Sequence, residues 1–280
     1  MYRSLEDEFG DVVGKARRGQ QIAADVLYPQ VGIAQADGER IERYEWMPDG
    51  ETMDRLADAL ELSPPKLREC AQAGFFPRAP GGIPRDGVHV EMMVLGQSFL
   101  MNGYLVGCPA TGRALCVDPG FDGDKIIARA QQAGLRIERV FLTHGHHDHI
   151  GALREIVEAT QARVQISEGD SSMLGELSTL VQDRVAHGDT VQVGELTFAV
   201  RATGGHTPGG MSLVGHGMAL VGDALFAGSL GGTRKRENYI AQRRAVEQYI
   251  LSLDEAVVLY PGHGPATTVG EERAHNPFFL

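Results

Sequence analysis

The chain has 280 residues, 42% of them hydrophobic, and its 37 acidic and 26 basic side chains give a formal charge of −11. At roughly 150 residues per domain, that length suits one large domain or an ordinary one with a small companion. The apolar fraction excludes a disordered acidic tail, the charge gives no global attraction to nucleic acid or an anionic membrane, and no run approaches the roughly 18 apolar residues of a spanning helix. The first residues, MYRSLEDEFGDVV, are acidic and lack a signal-peptide core. Three cysteines, Cys70, Cys108 and Cys116, show no CxxC spacing, which argues against a disulfide framework or a zinc ribbon. A cytoplasmic protein is expected.

Glu51–Leu62 has Met53, Leu56, Ala57 and Leu60 at helical spacing. Ser63 is a candidate N-cap for a second helix with Pro64 and Pro65 in its first turn, ended by Gly74. The stretch LADALELSPPKLRECAQAGFFPR resembles the helix-turn-helix of MerR-like regulators, yet its second helix offers only Lys66 and Arg68 for phosphate contacts. A helical module that docks on the main domain, or forms a homodimer contact, is the expectation for residues 1–86. The Pro/Gly cluster Pro77–Pro84 is the linker candidate.

All ten histidines follow residue 86, so residues 87–280 are expected to hold the chemistry. Short apolar runs there alternate with amphipathic helices. Strands are expected at Val88–Leu95, Phe99–Val106, Ala114–Val117, Arg139–Leu142, Arg163–Ile166, Leu196–Ala202, Met211–Val214, Met218–Val221 and Ala256–Tyr260. Helices are expected at Lys125–Ala133, Ile150–Ala159 and Glu237–Leu253. This is an α/β layered domain with mixed sheets.

The sharpest motif is Thr143-His144-Gly145-His146-His147-Asp148-His149, between the apolar strand ending Val140-Phe141-Leu142 and a helix. His144 and His146, two apart in extended chain, project to one side. Asp148 and His149 fall where the chain turns into the helix, a comfortable place for a carboxylate. Three further residues follow apolar strands and are flanked by glycine: His206 in TGGHTPGG, Asp223 in VGDALFAGS and His263 in YPGHGP. Imidazoles and carboxylates together suit divalent zinc, iron or manganese. His147 is expected to face solvent, and His89, His187, His216 and His275 to be surface or structural residues. Arg234, Lys235, Arg236, Arg243 and Arg244 form a basic run that could receive an anionic substrate, although a solvated helix face is the expectation.

HxHxDH, then a spaced His, an Asp in GD and a final GH, resembles the metallo-β-lactamase superfamily over nearly all of residues 88–280. The resemblance implies an αββα sandwich with the site at one edge of the two sheets. By motif position it implies that His144, His146 and His206 bind one metal, that Asp148, His149 and His263 bind a second, and that Asp223 bridges them. True β-lactamases of the superfamily usually carry Cys where this chain has Asp223, and flavin-linked di-iron members carry Glu at His146. GDALFAGS and YPGHGPATTVGEERAHNPFF are most similar to glyoxalase II-like hydrolases, although only 17 residues follow His263, without the helical domain that carries glutathione contacts there. The implied function is hydrolysis of a small thioester, ester or lactone by a metal-bridging hydroxide at Asp223, with Asp148 able to pass a proton, and without strict glutathione specificity. Two rivals are a mononuclear-iron persulfide dioxygenase-like enzyme using His144, His206 and Asp223, and a ligand-sensing regulator with the helix-turn-helix-like segment. Substrate contacts are expected from the N-terminal part, residues 168–190 and residues 228–244.

Overall fold

The computed structural model describes residues 2–280. Its centre is two six-stranded sheets, each built from consecutive strands. The first takes β1 (His89–Leu95), β2 (Met101–Cys108), β3 (Arg113–Val117), β4 (Arg136–Phe141), β5 (Arg163–Ser167) and β6 (Val181–Val185) in that order. β1 to β3 run antiparallel, and β3 to β6 are parallel neighbours. The second takes β7 (Thr190–Val193), β8 (Leu196–Ala202), β9 (Met211–Gly215), β10 (Met218–Gly222), β11 (Val258–Pro261) and β12 (Thr267–Thr268). Only β10 and β11 are parallel there.

Alternation along the strands divides the interior into layers, because successive side chains point to opposite faces. Tyr104, Val106, Leu115 and Val117 meet Phe198, Val200, Leu213 and Leu220 between the sheets. Leu105, Ala114 and Cys116 point the other way, onto the helices Gly123–Gln132 and Leu153–Thr160. On the far side Ala219, Val221 and Leu259 are covered by the helix Arg236–Tyr249 and by the N-terminal helices. The result is helix, sheet, sheet, helix, as the superfamily resemblance implies.

Residues 9–71 form five helices, Phe9–Gly19, Ala24–Gln30, Gln35–Glu42, Gly50–Ala59 and Pro64–Ala71. Sequence periodicity discloses only the last two, since Gly10, Gly14 and Gly19 interrupt the first. Val12, Leu27, Leu56 and Leu67 share one buried cluster with Val221, Leu225, Val246, Leu259 and Phe278. The helical segment therefore supplies part of the outer layer of the second sheet. Lys66 Nζ is bound to the carbonyls of Arg273 and Phe279 at 2.8 and 2.6 Å, and Arg68 pairs with Asp54. The two bases of the helix-turn-helix-like segment are thus engaged within the chain.

Several boundaries differ from the sequence expectations. Phe99 and Leu100 are exposed and precede β2 instead of opening it. The helix expected at Ile150–Ala159 is two helices, His147–Ile150 and Leu153–Thr160, with the break at Ala152, which leaves helical dihedrals and gives its N–H to the Pro119 carbonyl. Ser63 stands at the N-cap position, but its side chain makes no capping bond, and the second helix ends at Ala71 with Ala73, not Gly74, in the left-handed region. The short strands β6, β7 and β12 were not expected. No helix of the described residues is long and apolar enough to cross a membrane.

Leu56 is fully buried in the cluster joining the N-terminal helices to the second sheet. Leu56→Ala is expected to cost about 2–5 kcal/mol and to lower one cooperative urea transition. A separate early transition, seen by comparing Trp46 fluorescence with far-UV circular dichroism, would mean that the helices fold independently.

Candidate metal centre

Four strand ends at one edge of the sandwich deliver the clustered side chains. β4 leads through Thr143 to His144 and His146, and the short helix His147–Ile150 then presents Asp148 and His149. The chain beyond β8 carries His206, the residue after β10 is Asp223, and the loop after β11 carries His263. A Cβ at Gly262 would collide with Asp223 Oδ1, so only glycine lets that loop approach.

The seven side chains converge as two adjoining groups. In one, His146 Nδ1 lies 3.1 Å from His144 Nε2 and 3.0 Å from His206 Nε2, and Asp223 Oδ2 lies 3.3 Å from His206 Nε2. In the other, His149 Nε2 and His263 Nε2 are 3.4 Å apart, with Asp148 Oδ2 3.4 and 3.3 Å from them. Asp223 also faces the second group, its Oδ1 3.5 Å from His149 Nε2 and its Oδ2 3.6 Å from His263 Nε2. Within each group the candidate ligand atoms lie within 4.8 Å of one another.

The outer ring nitrogens show that these groups fit a cation. His206 Nδ1 donates to the Gly232 carbonyl at 2.7 Å and His263 Nδ1 to the Leu100 carbonyl at 2.9 Å. A carbonyl only accepts, so a proton sits on the outward Nδ1 and each Nε2, turned inward, is the atom left to ligate a cation. His149 Nδ1 faces Asp118 Oδ2 at 3.0 Å, and His144 Nδ1 faces Thr143 Oγ1 at 3.1 Å. Thr143 Oγ1 in turn donates to Asp118 Oδ2 at 2.6 Å. Converging lone pairs repel unless a cation sits among them, and Asp223 Oδ1 is buried without a hydrogen-bond partner.

Electrostatics favour the ligand form of His144, His146, Asp148 and Asp223. At His149 and His263 burial is outweighed by the surrounding carboxylates, which raise both imidazoles, His263 to about 9, so a cation bound there displaces a proton. Burial, then the neighbouring His149, holds His144 well below the usual imidazole range. Burial and then His206 lower His146. Burial alone would raise Asp223, but the surrounding His149, His144, His263 and His206 hold it far below the carboxylate range. Asp148 is likewise lowered, contact with His263 overcoming burial.

Sequence reasoning missed the residues that hold these loops. Asp118 accepts from Thr143 N at 2.7 Å besides Thr143 Oγ1 and His149, so its lone pairs already have donors. Asp170, fully buried, accepts from Gly145 N and Gly209 N and ties the His144 loop to the His206 loop. Gln242 Nε2 donates to the carbonyls of Ala224 and Gly231 at 3.0 Å. Glu272 accepts from Gly228 N, Thr267 Oγ1 and Asn276 Nδ2. Asp118 stands in Val117-Asp118-Pro119-Gly120, which looks like an ordinary turn. Around the mouth, exposed Phe99, Leu100 and Met173 are apolar, and Phe99 meets the His263 ring at 5.4 Å. Arg234, Lys235 and Arg236 are exposed just beyond Gly232, whereas Arg243 lies over Tyr239. His147 faces solvent. The remaining histidines lie outside the cluster: His187 against Tyr249, His216 against Phe198, His275 stacked on Phe75, and His89 beside Glu91.

Residues 99–263 match the family model described as the metallo-beta-lactamase superfamily. A hydroxyacylglutathione hydrolase of Haemophilus influenzae, GloC, is 28% identical over 183 residues, which cover 59% of this chain and 86% of that protein. Among solved structures, ETHE1 from Myxococcus xanthus is 30% identical at a TM-score of 0.60, covering 68% of this chain and 83% of that one. The protein TTHA1623, solved in a di-iron-bound form, is 29% identical at a TM-score of 0.55, covering 67% of this chain and 99% of that one.

Two measurements probe the support around the centre. Asp118→Asn is expected to weaken metal retention about 10–100-fold, read by chelator competition with the circular dichroism spectrum unchanged; unaltered retention would contradict its orienting role. Burial pushes the Glu272 carboxyl up from 4.5 to about 7, against the donors that favour its ionised form. A raised carboxyl stabilises the fold fully below the lower value, and that stabilisation is lost as pH rises through the upper one. Urea titrations from pH 4.5 to 8 are therefore expected to show a loss of about 3 kcal/mol in the parent that is missing in Glu272→Gln.

Proposed function

This chain belongs to the metallo-beta-lactamase superfamily, and from that premise we propose that it is a dinuclear metallohydrolase acting on a small thioester or ester. In this reading His144, His146 and His206 hold one divalent cation and Asp148, His149 and His263 the other. One observation carries it: the single buried carboxylate of Asp223 faces both histidine groups, 3.3 Å from His206 and 3.6 Å from His263. The convergence of Asp148, His149 and His263 supports a second cation over a mononuclear iron centre on His144, His206 and Asp223, a reading that their presence alone does not exclude.

Two divalent cations, when bound, supply a water acidic enough to act as nucleophile near neutral pH and an electrophile for a carbonyl oxygen. The chain's own residues do the rest. His206 and His263, their tautomers fixed by Gly232 and Leu100, hold the ligand lone pairs in place. Asp148 and Asp223 stay ionised, the form that ligates a cation, and Asp148, the less strongly lowered of the two, is the one placed to pass on a proton that the water releases. Phe99, Leu100 and Met173 offer an apolar wall to an acyl group. Arg234, Lys235 and Arg236, exposed after Gly232, suit an anionic thiol or alcohol portion. A thioester is supported by the relative named hydroxyacylglutathione hydrolase, and zinc or iron by the donor set.

Metal analysis of the purified protein is expected to find two equivalents, with turnover on a panel of thioesters, esters and lactones. His146→Ala and Asp223→Ala are expected to cut kcat/KM by more than about 100-fold, the upper range for a residue that merely supports a ligand, with folding retained. One equivalent of iron with oxygen consumed on a persulfide, or a two-metal protein inert on the whole panel, would overturn the proposal.

A further inference from the structure

Away from the seven clustered residues, the N-terminal helices enclose a cavity of about 530 Å3 between residues 3–10, 41–47 and 70–76. Its volume lies within the roughly 300–1,000 Å3 typical of small-molecule pockets. Five aromatic side chains line it: Phe9, Tyr44, Trp46, Phe75 and Phe76. Phe9 and Phe75 are buried at its floor, whereas Tyr44 and Phe76, with Met47, are 58%, 39% and 50% exposed at its mouth. An exposed aromatic patch that continues into a formed cavity is costly to leave in water.

Charge around the cavity selects the occupant. Asp7, Glu8 and Glu45 line it, against Arg3 as the lining base, and Asp11 adjoins it through a 2.6 Å hydrogen bond from Tyr44 Oη. Lys15 pairs with Asp7, and Arg43 with Glu45. Glu8 and Asp11 have no basic partner among the described residues; their carboxylates instead accept backbone N–H groups at the start of the helix Phe9–Gly19. One carboxylate without a basic partner, Glu8, therefore lines the cavity with Arg3, and a second, Asp11, borders it behind Tyr44, which leaves the rim with net negative charge. Cys70 on the wall reports the same field: its thiol is pushed up to about 12, by burial first and then by Asp7, Asp11, Glu8 and Glu69.

We propose that this cavity binds an organic cation, a protonated or quaternary amine with an aromatic or branched alkyl body. Aromatic faces attract a cation through the ring quadrupole, most strongly where water is displaced, and the neighbouring carboxylates add a net negative potential. The hydrocarbon body of such a ligand covers the exposed patch that a small hydrated cation would leave open. The binding site shares no residue with the metal centre, so occupancy is independent of which reaction the centre performs.

Trp46 is the chain's one tryptophan, so its emission reports directly on the cavity. Benzyltrimethylammonium is expected to change that emission saturably and to show binding heat in calorimetry with the full-length protein. Neopentylbenzene, its neutral isostere, is expected to bind at least about ten-fold more weakly if the charge is read. Glu8→Gln combined with Asp11→Asn keeps the acceptor oxygens at the helix start and is expected to weaken the cation about ten-fold, with the urea midpoint nearly unchanged. Phe76→Ala, at an exposed position, supplies a second variant expected to weaken binding. Equal affinity for the isostere, no saturable response, or emission that follows a protein-concentration-dependent dimer instead of the cation would overturn the proposal.

Discussion

The buried carboxylate of Asp118 orients a histidine in each of the two groups. It meets His149 directly and His144 through Thr143, while Thr143 N supplies a further donor. Burying an ion is unfavourable unless its oxygens are satisfied, and here donors within 3.0 Å surround it. The aspartate reaches them from the end of β3 with its backbone in the left-handed region, at φ 51°, a conformation that Asp tolerates better than most residues. For His144, His149, His206 and His263 the outer nitrogen has an oxygen partner, which turns the other nitrogen inward as the ligand atom. Asp118, Thr143, Gly232 and Leu100 therefore shape the centre as much as the ligating atoms do.

The same economy extends to the loops. Each ligand-bearing loop leaves a strand at one edge of the sandwich, where a sheet offers positions but little rigidity beyond its last ladder bond. Asp170 joins the loops of His144 and His206, Gln242 grips both ends of the Asp223 loop, and Asn102 binds the carbonyls of Pro261 and Gly264 on either side of His263. Glu272 and Asn276 hold Gly228 and Ser229 from below. These are polar side chains fixing backbone groups, so loop placement follows from satisfied hydrogen bonds.

What the sequence disclosed follows from how local each signal is. The run from Val140 to Ile150 encodes strand, turn and helix within a dozen residues, and its histidine spacing survives into the structure unchanged. The helix at Arg236–Tyr249 and most strands of both sheets are legible for the same reason. Asp118 was not legible, because its partners lie 25 and 31 residues onward and its own neighbours spell a turn. The first three helices were hidden because glycines interrupt the first, the next two are only seven and eight residues long with Pro29 and Gly38 inside them, and their stability comes from packing on distant strands. The likeness of residues 56–78 to a DNA-binding pair of helices rested on turn chemistry that any two short helices share, while Lys66 is bound to the chain's own carbonyls.

The covering of the second sheet by the N-terminal helices also has a consequence for how the protein is made. Val12, Leu27 and Leu56 leave the ribosome long before Val221, Leu259 and Phe278, the side chains they finally touch. Until at least about 165 further residues have been synthesised, the face that these helices turn to the sheet has no native partner beyond the helices themselves. Closing so long a loop carries an entropy that grows only with the logarithm of its length, but contacts so distant in sequence slow folding. The first sheet, built from consecutive strands that end at Val185, is complete in the chain before any of those partners has been made.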